Sequence, residues 1–194
     1  MALSRKSNSQ VPKTIPYPAD DGLASHLVGS SIPTELTLVS TQQIPVKLSE
    51  LPGITILFCY PRTSAPGETV KERWNNTPGG RGCTAEVGSY RDNFASLKEL
   101  GVSTIYGLSV QDTAYQKEVK ERMGLPYDIL SDDKLEFVKA MKMPVLEWEG
   151  TSLTKRCTLA IKDGKVVHVW YPVFPPDENP SQVAAWLKAT EQSG

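Results

Sequence analysis

The chain has 194 residues, of which 39% are apolar, and a formal charge of −1. That length supports one domain with a real core, and the near-neutral charge argues against a broad nucleic-acid or membrane-surface footprint. No apolar run in the sequence approaches the roughly 18 residues of a membrane span, so no membrane partner is expected.

The beginning of the sequence is Ser-rich and mildly basic, and we expect residues 1–25 to form a mobile tail. This stretch lacks the apolar centre of a secretory signal. We therefore expect a cytoplasmic protein, with a nuclear or mitochondrial destination left open. Residues 26–194 are expected to form a single domain.

The first elements after the tail are short extended segments, LTLVS and IPVKLSEL. They lead into ITILFCY, an uninterrupted apolar run closed by Pro61, which predicts a central strand buried on both faces. Residues 62–82 are rich in glycine and proline and predict a long loop with a brief surface turn. This loop separates the central strand from the next helix.

The helix after the loop has a clear apolar period. Its apolar residues recur at three- and four-residue steps, namely Val87, Tyr90, Phe94 and Leu97. Gly101 is well placed as its C-terminal cap, so one helix is expected from Cys83 to that glycine. Because Cys83 lies four residues before Val87, it is expected on the buried face, at the end of the helix nearest the loop.

The rest of the chain continues the alternation of strands and helices. We expect, in order, the strand VSTIYGLSV, a helix from Asp112 to Gly124, the strand YDILS and the short helix KLEFVKAMKM. Asp163-Gly164 then joins two alternating segments in a hairpin, and Asn179-Pro180 opens a last helix. This order predicts an α/β protein with a thioredoxin-like fold, in which a central mixed sheet has flanking helices.

Cys83 is the residue whose setting indicates chemistry. A thiol at a helix N-terminus faces unpaired backbone N–H groups and the positive end of the helix dipole, and both favour the thiolate. In open α/β sheets reactive groups gather beyond the carboxyl ends of the strands, where this loop leads. Cys83 is therefore a candidate nucleophile.

The remaining cysteines and the histidines give no sign of a metal site. Cys59 and Cys157 share no metal-type spacing with Cys83, and an odd number of cysteines favours reduced thiols over a disulfide scaffold. His26 and His168 are far apart in the sequence. No metal is predicted.

Four sequence segments resemble the peroxiredoxin family in their order and approximate spacing. They are HLVGSSIPTELTL, LSELPGITILFCYPR, TPGGRGCTAEVGSYRD and KRCTLAIKDGKVVHVWYPVFPPDENP. Within them, TPG shortly before CT, with Glu86 three residues after the cysteine and YRD beyond it, is similar to the peroxiredoxin Q, or bacterioferritin comigratory protein-like, branch. The resemblance covers the chain from about His26 to the last helix.

The resemblance implies a thiol peroxidase that reduces hydrogen peroxide and organic hydroperoxides without a cofactor. It assigns Cys83 as the peroxidatic cysteine and Arg156 as the cation that holds the thiolate and polarises the peroxide. Pro61 matches the proline that shields the pocket, and Glu86 matches an acid that orients the arginine. Thr77 is the candidate for the threonine whose hydroxyl contacts the peroxide.

Three positions depart from the family pattern. The loop from residue 62 to residue 82 is much longer than the family's, which indicates an insertion. Gly80 stands three residues before the cysteine, where the family has its threonine, so Thr84 or backbone N–H groups are alternatives to Thr77. Gly88 stands where many members of this branch carry a resolving cysteine, so a local disulfide with that position is excluded.

The resemblance therefore implies a one-cysteine cycle with an outside thiol reductant such as thioredoxin, glutaredoxin or glutathione. Resolution by Cys59, by Cys157 or by a second subunit stays open at this stage, and a homodimer is compatible with the family. Two other functions are compatible with parts of the sequence. The TPGGRG loop before a helix is compatible with an anion- or nucleotide-binding module, although Walker and dinucleotide patterns are missing. A catalytically inactive thioredoxin-fold interaction protein is the other alternative.

Overall fold

The computed structural model describes residues 14–193. Residues 1–13 of the predicted mobile tail lie outside the described residues. Residues 14–25 run along the surface of the domain, where Asp21 contacts Lys155 and Ala24 is buried.

The strands and helices follow one another largely as the sequence pattern predicts. The strands are β1 (Leu38–Ser40), β2 (Pro45–Val46), β3 (Ile54–Cys59), β4 (Val102–Ser109), β5 (Asp128–Ser131), β6 (Val145–Trp148), β7 (Thr151–Thr154), β8 (Cys157–Lys162) and β9 (Lys165–Trp170). The helices are α1 (Glu72–Asn75), α2 (Cys83–Asp92), α3 (Phe94–Glu99), α4 (Thr113–Met123), α5 (Glu136–Met141) and α6 (Asn179–Gln192). No described helix is both long and apolar enough to cross a membrane.

Seven strands form one mixed sheet in the order β2-β1-β5-β4-β3-β8-β9. Strands β3, β4 and β5 are parallel, as their connecting helices require, and β8 adds to β3 in the antiparallel direction. Strand β3 is central and its residues from Thr55 onward are buried, because both faces of the sheet are covered. The predicted mixed sheet of a thioredoxin-like fold is confirmed.

The two faces of the sheet have separate cores. Alternation along β3 sends Ile56 and Phe58 toward α2, α3, α4 and α6, whereas Leu57 and Cys59 face α5 on the other side. Cys83 belongs to the first of these cores, which also contains Tyr60. The site therefore lies at the end of β3 on the face covered by four helices.

One expectation about the elements is wrong and one element was missed. The helix after Cys83 is not continuous to Gly101, because it breaks at Asn93, whose side-chain amide donates to the carbonyl of Ser89 while its backbone leaves the helical range. The hairpin of β6 and β7 was not predicted at all. Glu149 and Gly150 both have positive φ at its two-residue turn, a left-handed pair that matches the twist of the flanking strands.

The long loop between residues 62 and 82 is held in part by a small apolar cluster. Helix α1 buries Trp74 against Trp148 of the β6–β7 hairpin, with the ring centroids 4.7 Å apart, and Leu153 completes the cluster. The brief surface turn predicted in this loop is thus a short helix with one buried side. Its contacts fix the path of the chain into the site.

Candidate active site

Cys83 is the first residue of α2 and is only 4% exposed. Gly82 precedes it with φ of 100°, a left-handed conformation that glycine adopts without strain and other residues rarely adopt. This turn points the chain from the loop into the helix and leaves the first backbone N–H groups of α2 without helical partners. The sulfur lies at that end, and its Sγ–H is within reach of the Gly80 carbonyl at 3.5 Å.

Arg156 is the residue just before β8, and its side chain extends to Cys83. Its Nη2 lies 3.2 Å from Cys83 Sγ and also donates to the carbonyl oxygens of Gly79, at 3.3 Å, and Arg81, at 3.0 Å. The side chain of Arg156 is buried, with 2% of its surface exposed. The structure thus brings together the two side chains that the sequence singled out, although 73 residues separate them in the chain.

Glu86 holds the other end of the same guanidinium. Its Oε2 accepts a hydrogen bond from Arg156 Nη1 in a fully buried ion pair. Burial raises the pKa of Glu86 to about 7, although the attraction to Arg156 opposes the shift. Burial alone would lower the pKa of Arg156, but Cys83 and Glu86 raise it above its ordinary value. The centre therefore contains one permanent cation between a sulfur and a carboxyl group.

Two polar atoms of this centre have no hydrogen-bond partner among the described residues. They are Glu86 Oε1 and Arg156 Nε, both buried. Buried polar atoms are usually paired, so such exceptions are concentrated where a ligand or water is bound. These two atoms are therefore candidates for contact with a bound water or ligand.

Pro61 and Thr77, two of the predicted site residues, differ in their surroundings. Pro61 is buried and follows Tyr60, two residues beyond the end of β3. The hydroxyl of Thr77 donates to the Arg73 carbonyl at 2.9 Å, in the turn that ends α1. Thr84, the alternative, is exposed on the outer side of α2.

The structure gives a reason for Gly80 at the position of the family threonine. A Cβ atom at Gly80 would lie 3.0 Å from the Trp74 carbonyl oxygen and 3.1 Å from that of Thr77. Both are backbone atoms of the turn that follows α1, so they cannot move aside cheaply. The fold of the loop between residues 62 and 82 therefore leaves little room for a side chain at Gly80.

The other cysteines lie on the far side of the sheet. Cys59 and Cys157 face each other across β3 and β8 and are fully buried in the core that contains α5. Burial raises the pKa of both thiols well above the ordinary value. A thiol that attacks an oxidised Cys83 must lie close to it and lose its proton readily. Neither Cys59 nor Cys157 meets these two conditions.

Two further features of the site had not been predicted from the sequence. Tyr60 lies fully buried in the same core as Cys83, and burial raises the pKa of its phenol, with Cys83 and Glu86 nearby adding to the shift. Residues 17–21 of the N-terminal segment lie beside Arg156 and the loop before Cys83. The alternation of ITILFCY does place Tyr60 on the face of Phe58, but nothing in the sequence indicates the path of residues 17–21.

The TPGGRG loop presents the wrong groups for an anion. Its carbonyl oxygens at Gly79, Gly80 and Arg81 face Arg156 and Cys83, whereas phosphate cradles present backbone N–H groups.

A thioredoxin-like domain with a buried arginine on a helix-start cysteine defines the class of the thiol peroxidases, in which sulfur is the redox centre.

Comparison with known proteins agrees with that class. Residues 27–187 match the Redoxin family, so the chain belongs to this family. A chloroplastic peroxiredoxin Q from Gentiana triflora is 23% identical over 184 residues, which cover 94% of this chain and 77% of that protein.

Solved structures agree in fold. The peroxidoxin BcpB from Mycobacterium tuberculosis superposes with a TM-score of 0.68 at 24% identity, covering 84% of this chain and 98% of that one. The bacterioferritin comigratory protein of Xanthomonas campestris, whose alkyl peroxide reduction activity has been studied structurally, gives 0.66 at 20% identity, covering 85% of this chain and 98% of that one. The predicted family and enzyme class are confirmed: the chain is a peroxiredoxin-type thiol peroxidase.

Proposed function

We propose that the chain reduces hydrogen peroxide and organic hydroperoxides in a one-cysteine cycle centred on Cys83. The observation that carries the proposal is the 3.2 Å contact of Arg156 Nη2 with Cys83 Sγ at the start of α2. A cation and a helix N-terminus both stabilise a thiolate, and the same guanidinium can then stabilise negative charge on the peroxide oxygens.

In the first half of the cycle the Cys83 thiolate attacks the terminal oxygen of the hydroperoxide. The S–O bond forms as the O–O bond breaks, so that the sulfur loses two electrons and becomes a sulfenic acid. The departing oxygen takes up a proton and leaves as an alcohol, or as water when the substrate is hydrogen peroxide. Arg156 faces the sulfur throughout and offsets the charge that moves onto the leaving oxygen.

In the second half an outside thiol restores Cys83. It attacks the sulfenic sulfur, forming a mixed disulfide and releasing water, and a second thiol then displaces Cys83 as thiolate. Gly88 at the local resolving position, and the place of Cys59 and Cys157 across the sheet, support this route. Glutathione, thioredoxin or glutaredoxin supplies the required thiol chemistry.

Peroxide consumption with a thiol reductant tests the role of Cys83. The wild-type chain is expected to consume hydrogen peroxide and tert-butyl hydroperoxide, Cys83→Ser to consume neither, and Cys157→Ala to stay active. Activity that survives Cys83→Ser would contradict the proposal.

Mass analysis tests the one-cysteine cycle separately. After one equivalent of peroxide without reductant, a sulfenic acid that dimedone traps on Cys83 is expected. An internal disulfide, or a disulfide between two chains that forms before trapping, would replace the one-cysteine cycle with resolution inside the protein.

A further inference from the structure

A short N-terminal strap, defined as residues 17–21, is fastened across the mouth of the site. Asp21 forms an ion pair with Lys155 at 2.6 Å and accepts a hydrogen bond from the Tyr171 hydroxyl at 2.8 Å. The hydrogen bond from Lys155 holds the pKa of Asp21 at about 2, so the pair stays charged at neutral pH. At the other end, Tyr17 packs edge-on against Phe174 with the ring centroids 4.8 Å apart.

The strap adjoins the groups that hold Cys83. A Cβ atom at Gly79 would lie 3.7 Å from Pro18 Cβ, an ordinary contact, so Pro18 lies over the residue whose carbonyl accepts from Arg156. Lys155, which fastens the strap, is the residue before Arg156 in the chain. The match to the Redoxin family covers residues 27–187, so the strap lies outside the matched residues.

Between the strap and the site lies a cavity of about 80 Å³. Apolar groups of Pro18 and Ala19 of the strap, Pro78 of the loop, Leu146 of β6 and Pro172 line it, together with two cationic side chains, Lys155 and Arg156. A cavity with an apolar lining and a few charged or polar groups is the usual form of a small-molecule site. Hydrogen peroxide has no apolar part to place in it, whereas an organic hydroperoxide does.

The size of the cavity limits that apolar part. A cavity of about 150 Å³ holds one benzene molecule. A cavity of about 80 Å³ therefore suits a short aliphatic group better than a phenyl ring.

We propose that the strap forms one wall of a subsite for the organic part of a hydroperoxide, and that this subsite favours short aliphatic groups over aromatic ones. The inference rests on the proposed peroxidase function. In it Ala19 and Pro18 determine specificity, and Asp21 is a positioning residue that acts through Lys155 and Tyr171. Loosening the strap admits larger groups, and filling the cavity rejects small ones.

The experiment compares three substrates in four chains. The kcat and KM for hydrogen peroxide, tert-butyl hydroperoxide and cumene hydroperoxide are measured for wild type, Asp21→Ala, Ala19→Phe and Asp20→Ala. Asp20 is the matched control, because it carries the same charge and is also exposed, yet within residues 14–193 it accepts only the N–H of Gly22. Each organic substrate is referred to hydrogen peroxide in the same chain, so a general loss of activity cancels.

Wild type is expected to prefer tert-butyl over cumene hydroperoxide. Asp21→Ala is expected to reduce this preference about tenfold, mainly through KM for the cumene substrate, since a few methylene groups in a pocket change rates by that order. Ala19→Phe is expected to raise KM for tert-butyl hydroperoxide, and Asp20→Ala to leave the preference as in wild type.

The inference is overturned by a wild-type preference for cumene hydroperoxide, or by one preference shared by all four chains. If Asp21→Ala does not fold by circular dichroism, Ala19→Phe decides alone. A wild-type chain that consumes no hydrogen peroxide would contradict the proposed function instead, so the two failures are distinguishable.

Discussion

At the scale of single residues, the guanidinium of Arg156 connects the Cys83 sulfur to Glu86 and to the loop before α2. It contacts Cys83, Glu86 and the carbonyl oxygens of Gly79 and Arg81. A planar fork with five N–H donors can serve these partners at fixed angles, whereas an ammonium group is a point charge. Charge alone would therefore not replace this residue.

Arg156→Lys is expected to lower kcat for hydrogen peroxide by roughly 10² to 10³, the usual cost of losing one donor to a transition-state oxygen. Stopped-flow measurement of peroxide consumption gives the value. Arg122→Lys is the matched control, because Arg122 pairs with Glu118 on the surface of α4. Near wild-type activity in Arg156→Lys would show that the charge suffices and the fork does not matter.

The raised pKa of Glu86 is expected to make the free energy of unfolding depend on pH. Because burial raises this pKa from 4.5 to about 7, the folded chain binds the Glu86 proton more tightly than the unfolded chain does. The resulting contribution is fully present below about pH 4.5 and is lost as the pH rises through about 7. The free energy of unfolding of wild type, relative to Glu86→Gln, is therefore expected to fall over this range.

Urea unfolding of both chains at several pH values between about 4.5 and about 8 measures this difference. The glutamine variant is the natural reference, since it keeps the shape of the side chain and cannot ionise. Parallel pH profiles for the two chains would mean that Glu86 is ionised throughout the range.

Cys83 was predictable from a local signal, because it follows a glycine loop at a helix start. Arg156 carries no such signal, and its assignment came from the resemblance of the segment KRCTLAI to a known family. The crowding at Gly80 was not predictable, because the backbone oxygens that cause it belong to the insertion, whose fold no periodicity indicates. Asp21 and Lys155 are 134 residues apart, and nothing local marks their pairing.

At the scale of elements, the same distinction explains which strands and helices were found. Helix α4 has Asp112 capping its start, with the carboxylate accepting from the Tyr115 N–H, and Gly124 at its left-handed end, and both signals are local. The break at Asn93 and the hairpin at Glu149 and Gly150 depend on one side chain or on a non-glycine residue with positive φ, which sequence periodicity does not register.

Stability and activity are both expected to depend on Trp74. Among the described residues, Trp74 is the only large buried side chain of the loop between residues 62 and 82. Trp74→Ala removes the contact with Trp148, and the free energy of unfolding is expected to fall by roughly 3 kcal/mol. The path of the loop then loosens at Gly79 and Arg81, whose carbonyl oxygens position Arg156. A loss in kcat/KM for hydrogen peroxide of roughly tenfold is expected from this misplacement.

Trp186→Ala is the control for that variant. Trp186 is a half-buried tryptophan of α6 that packs against Trp170 and His168, away from the loop. Its loss is expected to lower stability while kcat/KM per folded molecule stays near wild type. Equal effects on activity in the two variants would show that Trp74 acts through general stability alone.

At the scale of the whole molecule, the sheet separates Cys83 from the other two thiols. Cys83 lies at the edge of the core covered by four helices, whereas Cys59 and Cys157 lie in the middle of the other core with no exposed surface. Of the three thiols, Cys83 alone has exposed surface, at 4%. The other two thiols meet a reagent only when the sheet and α5 separate, which requires opening on the scale of the whole fold.

Alkylation by a maleimide in native buffer is therefore expected to show one fast thiol and two slow ones. Prior treatment with one equivalent of peroxide is expected to block the fast reaction, and Cys83→Ser to show the two slow thiols alone. The slow rate is expected to follow the global unfolding equilibrium and to rise with added urea, because the raised pKa values and the burial of Cys59 and Cys157 persist until the chain opens. If either slow thiol instead reacts as fast as Cys83 without urea, the sheet does not separate them, and internal resolution of the sulfenic acid becomes the mechanism to test.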